Sequence, residues 1–212
     1  MTSHSFPIDI DSVDTSRSGA FGLLIRHGER EPFTKETAMF EAKLTEAGKE
    51  QARQLGLHLK GRRPHAFYSS PADRCVDTNV CILEGLGAAP EEARCRVQPS
   101  SVLAEAFMVH PETAKGVFRS REPEQVVLDY LAGREVPGFG PIDSGARRLL
   151  DFVRNGIEPG TFSVFVTHDA LMMPFRRHFL GAEFSRDNWS PFLGGCVIYT
   201  EGGRTWVNHR EV

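Results

Sequence analysis

Residues 20–28, Ala-Phe-Gly-Leu-Leu-Ile-Arg-His-Gly, form a short apolar run that stops at an arginine, a histidine and a glycine. A run of this length closed by charge and glycine predicts a buried β-strand. A similar run occurs at 162–167, Phe-Ser-Val-Phe-Val-Thr, and it is followed by His168 and Asp169. We therefore expect two buried strands that each end at a histidine.

Two helices and another strand are predicted between these runs. Small or apolar residues at 48, 52, 55 and 59 lie on one face of a helix spanning 45–60. A short strand is expected at 65–69, followed by a helix that ends near residue 86. Ser70 is predicted to be the N-cap of that second helix, with Pro71 at its first position.

The rest of the chain continues the alternation of strand and helix, although segment 99–120 shows no clear period. A third strand is predicted near 94–98, helices around 124–131 and 146–157, a helix from Asp169 to about Leu180, and two antiparallel strands at 196–200 and 205–208. This alternation predicts an α/β fold, a three-layer α/β/α sandwich with a mainly parallel central sheet.

Length and composition are those of a globular protein. The chain has 212 residues, of which 40% are hydrophobic and 25% charged, close to the globular average. Residues 1–18 are expected to be a flexible leader, and 19–212 a single domain. The net charge of −3 gives no bulk electrostatic reason to expect nucleic acid or an anionic membrane as a partner.

The cysteines and the hydropathy favour a soluble cytoplasmic protein. Cys75, Cys81, Cys95 and Cys196 show no zinc or redox spacing and are too sparse for a disulfide scaffold. Reduced thiols are therefore expected. Residues 1–20 lack the basic and apolar regions of a signal peptide, and no run approaches the roughly 18 apolar residues of a membrane span.

Arginine dominates the basic residues, with 20 Arg against five Lys. A GC-rich genome explains most of this bias. The planar arginine fork suits phosphate and carboxylate groups better than the point charge of lysine does. A few of these arginines are therefore expected to hold an anion.

Three chemically distinctive segments fall where predicted strands end. Arg26-His27 closes the first strand, Ser69–Arg74 joins the second strand to its helix, and His168-Asp169 closes the last long strand. Ligands of open α/β sheets bind at the carboxyl ends of the strands. The three segments are expected to meet at that edge.

Two arginines and two histidines at one edge suit a phosphate group. The forks of Arg26 and Arg74 can contact phosphate oxygens bidentately. Either His27 or His168 can attack phosphorus while the other holds the oxygens, and an adjacent acid can protonate the leaving group. No metal or cofactor is expected, because the cationic side chains supply the electrostatic stabilisation.

Four segments between residues 20 and 180 are informative through their order. They are Leu24–Arg30 with Arg-His-Gly, Leu44–Ala52 with Leu-Thr-x-x-Gly-x-x-Gln-Ala, Tyr68–Thr78 with Ser-Ser-Pro-x-x-Arg-x-x-x-Thr, and Val166–Asp169 with the second histidine. Together they resemble the motifs of the histidine phosphatase superfamily, which includes the phosphoglycerate mutases. Arg-His-Gly alone would be weak evidence, whereas the ordered set is specific.

The resemblance implies a role for each matched residue. His27 would be the nucleophile that becomes phosphohistidine, and Arg26, Arg74 and His168 would complete the phosphate pocket. Arg30 falls in Arg-His-Gly-x-Arg-x-Pro, a pattern of the acid-phosphatase branch in which the second arginine also contacts phosphate. The implied activity is metal-independent hydrolysis of a phosphate monoester, with a phosphorylated small molecule as substrate.

The resemblance leaves two candidates for the proton donor. In the acid-phosphatase branch the donor is the Asp directly after the second histidine, here Asp169. In the mutase-like branch it is a Glu from the segment after the third strand, here Glu105. The His-Asp pair favours Asp169, although the length of the chain is mutase-like.

Three other functions compete with hydrolysis. A mutase would return the phosphoryl group to a second hydroxyl of its substrate, and 212 residues leave little room for the long lids that it needs. A catalytically idle binder of phosphorylated ligands would lose His27 or the donor, yet all the expected groups are present. A metallohydrolase using His27, His168 and Asp169 lacks metal-type spacing. Substrate specificity is expected to come from segments 29–44 and 99–120.

Overall fold

The computed structural model describes residues 7, 8, 20–33 and 41–212. These residues form seven strands and eight helices. The strands are β1 (Phe21–Arg26), β2 (Pro64–Ser69), β3 (Val97–Pro99), β4 (Phe162–Thr167), β5 (Gly195–Glu201), β6 (Arg204–Val207) and β7 (Arg210–Glu211). The helices are α1 (Glu46–His58), α2 (Asp73–Leu86), α3 (Pro90–Arg96), α4 (Val102–Glu105), α5 (Pro111–Ser120), α6 (Pro123–Leu131), α7 (Ile142–Asn155) and α8 (Asp169–Leu180).

All seven strands belong to one sheet with the order β3-β2-β4-β1-β5-β6-β7. The first four strands in this order are parallel to one another, whereas β5, β6 and β7 continue the sheet in antiparallel fashion. The predicted α/β fold with a parallel central sheet is confirmed. The antiparallel pair predicted near the carboxyl terminus is also confirmed, and β7 was not predicted.

The sheet separates two apolar cores, because successive side chains of a strand point to opposite faces. Leu23 and Ile25 of β1 pack into one core with residues of α1 and α2. Leu24 packs into the other core with residues of α7 and α8. Both faces of the sheet are therefore covered, which explains why the central strands β1 and β4 are buried along their whole length.

The start of α2 differs from the prediction. The helix begins at Asp73, its N-cap is Ala72, and that N-cap makes no side-chain hydrogen bond. Ser70 was therefore wrongly predicted to be the cap. Its Oγ lies 2.8 Å from Nε2 of His168, so the hydroxyl is used at the neighbouring strand end.

The third strand is shorter than predicted, because residues 94–96 belong to α3. That helix has Pro90 in its first turn, acidic residues in the same turn and basic residues in its last turn. Each of these features stabilises a short helix. Segment 99–120, which has no clear period, contains α4 and α5.

The predicted flexible leader, 1–18, lies outside the described residues except for Pro7 and Ile8. Ile8 is buried and packs in the core beneath α1 and α2. Among the described residues, no helix has the length and apolar character needed to cross a membrane.

Candidate active site

The carboxyl ends of three parallel strands bring the predicted site residues together. Arg26, the last residue of β1, is in register with Thr167, the last residue of β4. The backbone N–H of His27 donates to the carbonyl oxygen of Thr167 at 2.9 Å. Because β2 ends in register with β4 on its other side, His27, His168 and the start of α2 leave the sheet side by side.

His27 is buried and held in a single tautomer. Its Nδ1 lies 2.8 Å from the carbonyl oxygen of Gly28, which can only accept a hydrogen bond. Its Nε2 lies 3.1 Å from Nε of Arg74, which can only donate. The proton is therefore on Nδ1 and the lone pair on Nε2. Burial, followed by the charge of Arg74, lowers the pKa of His27 to about 3, so the ring is neutral at physiological pH.

The loop after His27 is fixed by a close approach of α1. A Cβ atom on Gly48 would lie 2.2 Å from the carbonyl oxygen of Glu29, so only glycine fits at this position. Thr45 caps the helix by accepting from the N–H of Gly48 at 2.9 Å, and its hydroxyl donates to Glu29 at 2.9 Å. The second of the four sequence segments thus fixes the loop that follows the first.

Thr78 links the helix that carries Arg74 to the same loop. Its hydroxyl donates to the carbonyl oxygen of Arg74 at 2.6 Å and accepts from the N–H of Gly28 at 3.0 Å. The third sequence segment therefore supplies both Arg74 and Thr78, the residue that holds the helix of Arg74 against the loop after His27.

His168 also has a defined tautomer. The guanidinium of Arg74 donates from Nη2 to Nδ1 of His168 at 3.1 Å, which leaves the proton of the neutral ring on Nε2. Nε2 then donates to Oγ of Ser70 at 2.8 Å. Burial and the neighbouring Arg74 hold the pKa of His168 well below its ordinary value. The two histidine rings lie 5.5 Å apart, centroid to centroid, with Arg74 bonded to both.

Asp169 forms an ion pair with the first arginine of the site. Its Oδ2 lies 2.7 Å from Nη2 of Arg26 and accepts from Nε1 of Trp189 at 2.9 Å. Burial acts to raise the pKa of Asp169, but the charge of Arg26 and the hydrogen bond from Trp189 outweigh it and hold the pKa well below the usual range. Asp169 is therefore ionised throughout the physiological range.

The loop 188–194 contacts the guanidinium of Arg26 through Ser190 and Phe192. The carbonyl oxygen of Ser190 accepts from Nη1 of Arg26 at 2.5 Å. The ring of Phe192 lies 4.1 Å from the guanidinium carbon of Arg26 and 5.8 Å from the ring of His27. Nε of Arg26 is buried and has no hydrogen-bond partner among the described residues, so one donor of this cation remains unused.

The buried cations outnumber the carboxylates beside them. Arg26 and Arg74 are both buried, and burial is the main cause that lowers the pKa of each guanidinium. Arg30 lines the same cavity, and burial, together with the charges of Arg74 and Arg26, lowers its pKa to about 10. Asp169 is the carboxylate paired with this group, which leaves a site that attracts anions.

Arg30 is turned toward its own loop. Its guanidinium carbon lies 3.3 Å from the centroid of the Phe33 ring, and Nη1 donates to the carbonyl oxygen of Glu31 at 2.8 Å. The structure thus brings Arg30 to the cavity without a direct bond to His27, His168 or Arg74.

Glu105 stands on the opposite wall, at the end of α4. Its carboxylate lies 2.8 Å from Nζ of Lys115 on α5. The segment is anchored to the sheet by Thr167, whose hydroxyl donates to the carbonyl oxygen of Leu103 at 2.7 Å. The hydroxyl of Thr167 therefore holds α4 against the end of β4.

These residues line one cavity of about 750 Å³. Each predicted site residue lines it, as do residues of segment 99–120, for which the sequence shows no clear period. The five histidines outside the motifs do not line it: His58, His65, His110, His178 and His209. In the part of the chain that the structure describes, no three His, Cys, Asp or Glu side chains form a group suited to a metal ion.

Several lining residues were missed by sequence reasoning. Lys115, Phe118 and Val127 come from α5 and α6, and Arg186 comes from the loop after α8. None lies in a motif, and their side chains meet only when these elements fold over the sheet edge. Trp189 and Phe192, from the loop before β5, also line the cavity.

Residues 23–207 match the family model described as the histidine phosphatase superfamily, branch 1. This match spans all four sequence segments and every residue of the site discussed above. A search of curated protein sequences gives no match.

Solved structures with the same fold are distant in sequence. YhfR of Bacillus stearothermophilus is 19% identical, with a TM-score of 0.56 over 88% of this chain and 94% of its own. A phosphoserine phosphatase of Entamoeba histolytica in complex with 3-phosphoglyceric acid is 21% identical, with a TM-score of 0.55 over 91% and 96%. A phosphoglycerate mutase of Bacillus anthracis is 16% identical, with a TM-score of 0.53 over 91% and 93%. At this identity the likeness establishes the fold.

Proposed function

Since the chain belongs to the histidine phosphatase superfamily, we propose that it is a phosphomonoesterase that works through a phosphohistidine on His27. The observation that carries the proposal is the state of that ring. His27 is buried, neutral and fixed with its lone pair on Nε2, beside the guanidinium of Arg74. A neutral imidazole whose lone pair carries no proton is the form that attacks phosphorus.

The phosphate would bind among the cations that surround Nε2. Arg74 already donates to both histidines, and an incoming phosphate oxygen can replace either of these acceptors. Arg26 offers its unused Nε donor. His168 carries its proton on Nε2 and can donate it to phosphate in place of Ser70. Charge that builds on the transferring group is then met by donors already in place.

Arg30 is proposed as a further phosphate contact. Its guanidinium stacks on Phe33 and reaches the cavity, where burial and the other arginines lower its pKa. A dianion would relieve the repulsion among these cations. Arg30 would leave the carbonyl of Glu31 to reach it.

The contacts of Asp169 support Glu105 as the proton donor. A general acid must carry a proton near the operating pH. Asp169 is held ionised by Arg26 and by the hydrogen bond from Trp189, and losing that charge would release Arg26. Glu105 lies on the facing wall of the cavity, and its partner Lys115 is itself shared with Glu112. Asp169 then acts by positioning Arg26.

The two chemical steps balance with these groups alone. Nε2 of His27 attacks phosphorus, the bond from phosphorus to the ester oxygen breaks, and the departing alcohol takes the proton of Glu105. Water then attacks the phosphohistidine, gives a proton to the Glu105 carboxylate and frees inorganic phosphate together with neutral His27. The arginines stabilise the transferring group in both steps, so the proposed reaction needs no metal.

A phosphatase screen over a panel of phosphorylated metabolites tests the proposal. Wild-type protein should release phosphate from at least one ester. His27→Ala should abolish release, whereas His110→Ala, at an exposed histidine outside the cavity, should leave it unchanged. Rapid quenching with a labelled substrate should trap a protein-bound phosphate that is stable in base and labile in acid.

Residual turnover by His27→Ala would show that His27 is not the nucleophile. Absence of hydrolysis by the folded wild-type protein across the panel would leave the idle phospho-ligand binder as the better description. Exchange of phosphate between 3- and 2-phosphoglycerate without release of phosphate would instead identify a mutase.

A further inference from the structure

The cavity continues well beyond the phosphate-binding cations into an apolar region. Met108, Phe118, Val127 and Leu171 line it together with the site residues, and we call these four the apolar wall. They come from the segment after α4, from α5, from α6 and from the start of α8. Their side chains offer no hydrogen-bonding groups to the hydroxyls of a sugar or to a carboxylate.

The apolar wall is part of the protein core. Phe118, Val127 and Leu171 are buried members of the core on the α7–α8 face of the sheet, and Met108 packs against that core. The ring of Phe118 lies 5.8 Å from the ring of Phe139. A surface packed in this way is formed before a ligand binds, so contact with it costs little conformational entropy.

The charged side chains of this region are already paired. Nζ of Lys115 lies 2.8 Å from Glu105 and 3.0 Å from Glu112. The guanidinium of Arg186 lies 2.7 Å from Glu122 and 3.1 Å from Glu124. Three of these carboxylates line the cavity against the two cations: Glu105, Glu122 and Glu124.

This balance disfavours a second anionic group on the substrate. A carboxylate or phosphate near the apolar wall would find Lys115 and Arg186 already paired with Glu105, Glu122 and Glu124. It would also have to displace a glutamate from Lys115 or Arg186. Desolvating such a group without a partner is costly.

The size of the cavity suits a large leaving group. Its volume of about 750 Å³ lies within the range of roughly 300–1,000 Å³ that encloses drug-sized organic molecules. A phosphate group bound by the arginines would fill only a part of it. The remaining space borders the apolar wall.

We infer that the substrate is a phosphate monoester of a bulky apolar alcohol that carries no second anionic group. This inference rests on the proposed function and adds the class of the leaving group to it. The arginines hold the phosphate, and the apolar wall selects the alcohol by removing its hydrocarbon surface from water.

Aryl phosphates with similar leaving groups test the inference, because the chemical step then stays nearly constant. The value of kcat/KM should rise about tenfold from phenyl to 2-naphthyl phosphate, in proportion to the added apolar surface. It should fall about tenfold or more from phenyl to 4-carboxyphenyl phosphate, because the added carboxylate is desolvated without a partner. The aliphatic ester 3-phosphoglycerate should be the poorest substrate.

A pair of neighbouring variants separates the apolar wall from general effects on the fold. Met108→Gln keeps the volume but adds a polar group to the wall, so it should reduce the preference for naphthyl over phenyl about threefold or more. Val109→Gln is the matched control, because Val109 is exposed and does not line the cavity. It should leave the preference unchanged.

The outcomes for the proposed function and for this inference are distinguishable. Hydrolysis with an equal or greater kcat/KM for 4-carboxyphenyl phosphate or 3-phosphoglycerate would overturn the inference while the phosphatase stands. If no ester is hydrolysed, calorimetry with non-hydrolysable phosphonates decides. Tighter binding of 2-naphthylmethylphosphonate than of 3-carboxypropylphosphonate supports the apolar site without catalysis, and the opposite order overturns it.

Discussion

Nε of Arg74 donates a hydrogen bond to Nε2 of His27 across 3.1 Å, although the two residues are 47 positions apart. The same guanidinium reaches Nδ1 of His168 at 3.1 Å. Arg74 thus fixes the tautomers of both histidines, and it covers the lone pair that we propose as the nucleophile. An incoming phosphate has to draw this guanidinium onto its own oxygens, which uncovers Nε2.

Arg74→Lys should reduce kcat/KM by about 10²–10³, because a single ammonium cannot contact both histidines and then grip phosphate bidentately. The measurement is steady-state hydrolysis of one aryl phosphate. Arg94→Lys is the control, since Arg94 is an exposed residue whose guanidinium pairs with Asp77, and its kcat/KM should not change. A loss of less than threefold in Arg74→Lys would contradict the role given to Arg74.

Glu105→Gln should slow esters of poor leaving groups far more than esters of good ones. A general acid contributes about 10²–10⁴ to such reactions, and a nitrophenolate leaves without a proton. The readout is kcat/KM for an alkyl phosphate against p-nitrophenyl phosphate. Glu112→Gln removes the other carboxylate bound to Lys115 and should leave the ratio of the two values unchanged.

Asp169→Asn should weaken the binding of the substrate's phosphate group. Without the carboxylate, Arg26 loses its 2.7 Å partner, so KM should rise for alkyl and nitrophenyl esters by a similar factor. If Asp169→Asn instead penalises alkyl esters selectively and Glu105→Gln does not, then Asp169 is the donor and our assignment of the two carboxyls is reversed.

Folding stability should fall with acid below about pH 6.5. An unfolded histidine has a pKa near 6.5, whereas burial and Arg74 lower the pKa of folded His27 to about 3 and hold that of His168 well below its ordinary value. Between these pH values the unfolded chain binds protons that the folded chain does not, so the free energy of unfolding decreases as the pH falls.

Chemical denaturation at pH 4.5, 5.5 and 6.5 measures this slope. His27→Gln should reduce the dependence of the unfolding free energy on pH by the equivalent of up to one bound proton. His110→Gln, at an exposed position, should leave this dependence unchanged. Equal slopes in wild-type protein and His27→Gln would show that the buried ring titrates normally.

Gly48→Ala should lower the free energy of unfolding by about 1–3 kcal/mol, the range for overpacked sites. The new Cβ would lie 2.2 Å from the carbonyl oxygen of Glu29, so α1 and the loop after His27 must move apart. Activity should fall as well, because that loop holds Nδ1 of His27. Gly116→Ala is the control: its Cβ meets open space on α5, and it should raise stability by about 0.5–1 kcal/mol.

Hydrolysis should survive treatment with EDTA. The proposed phosphate site draws its positive charge from Arg26, Arg74 and Arg30, and the nucleophile is a side chain. Activity measured before and after chelation and dialysis should agree within error. Loss of activity on chelation, with recovery on adding a divalent metal, would contradict the mechanism.

The sequence predicts a strand or helix well where the whole pattern of that element lies within one stretch of chain. The strands β1 and β4 are buried on both faces, so every position except Arg26 is hydrophobic or small, and each strand can be predicted without its neighbours. The helix at 45–60 was equally clear, because its N-cap Thr45 and its buried face lie within one stretch of chain. The N-cap of α2 was misassigned because Ser70 forms its main bond with His168, 98 residues away.

Strand ends and motif spacing are properties of neighbouring residues, so they were sufficient to predict the fold class and to bring His27, Arg74 and His168-Asp169 to one edge of the sheet. The position of the proton on each histidine depends on the folded protein, because Arg74 reaches both rings only after folding. Folding also pairs the carboxylate of Asp169 with Arg26, and it brings residues of α5 and α6 to the cavity as part of the apolar wall. These contacts join residues distant in sequence, and their energies depend on burial that no single segment encodes.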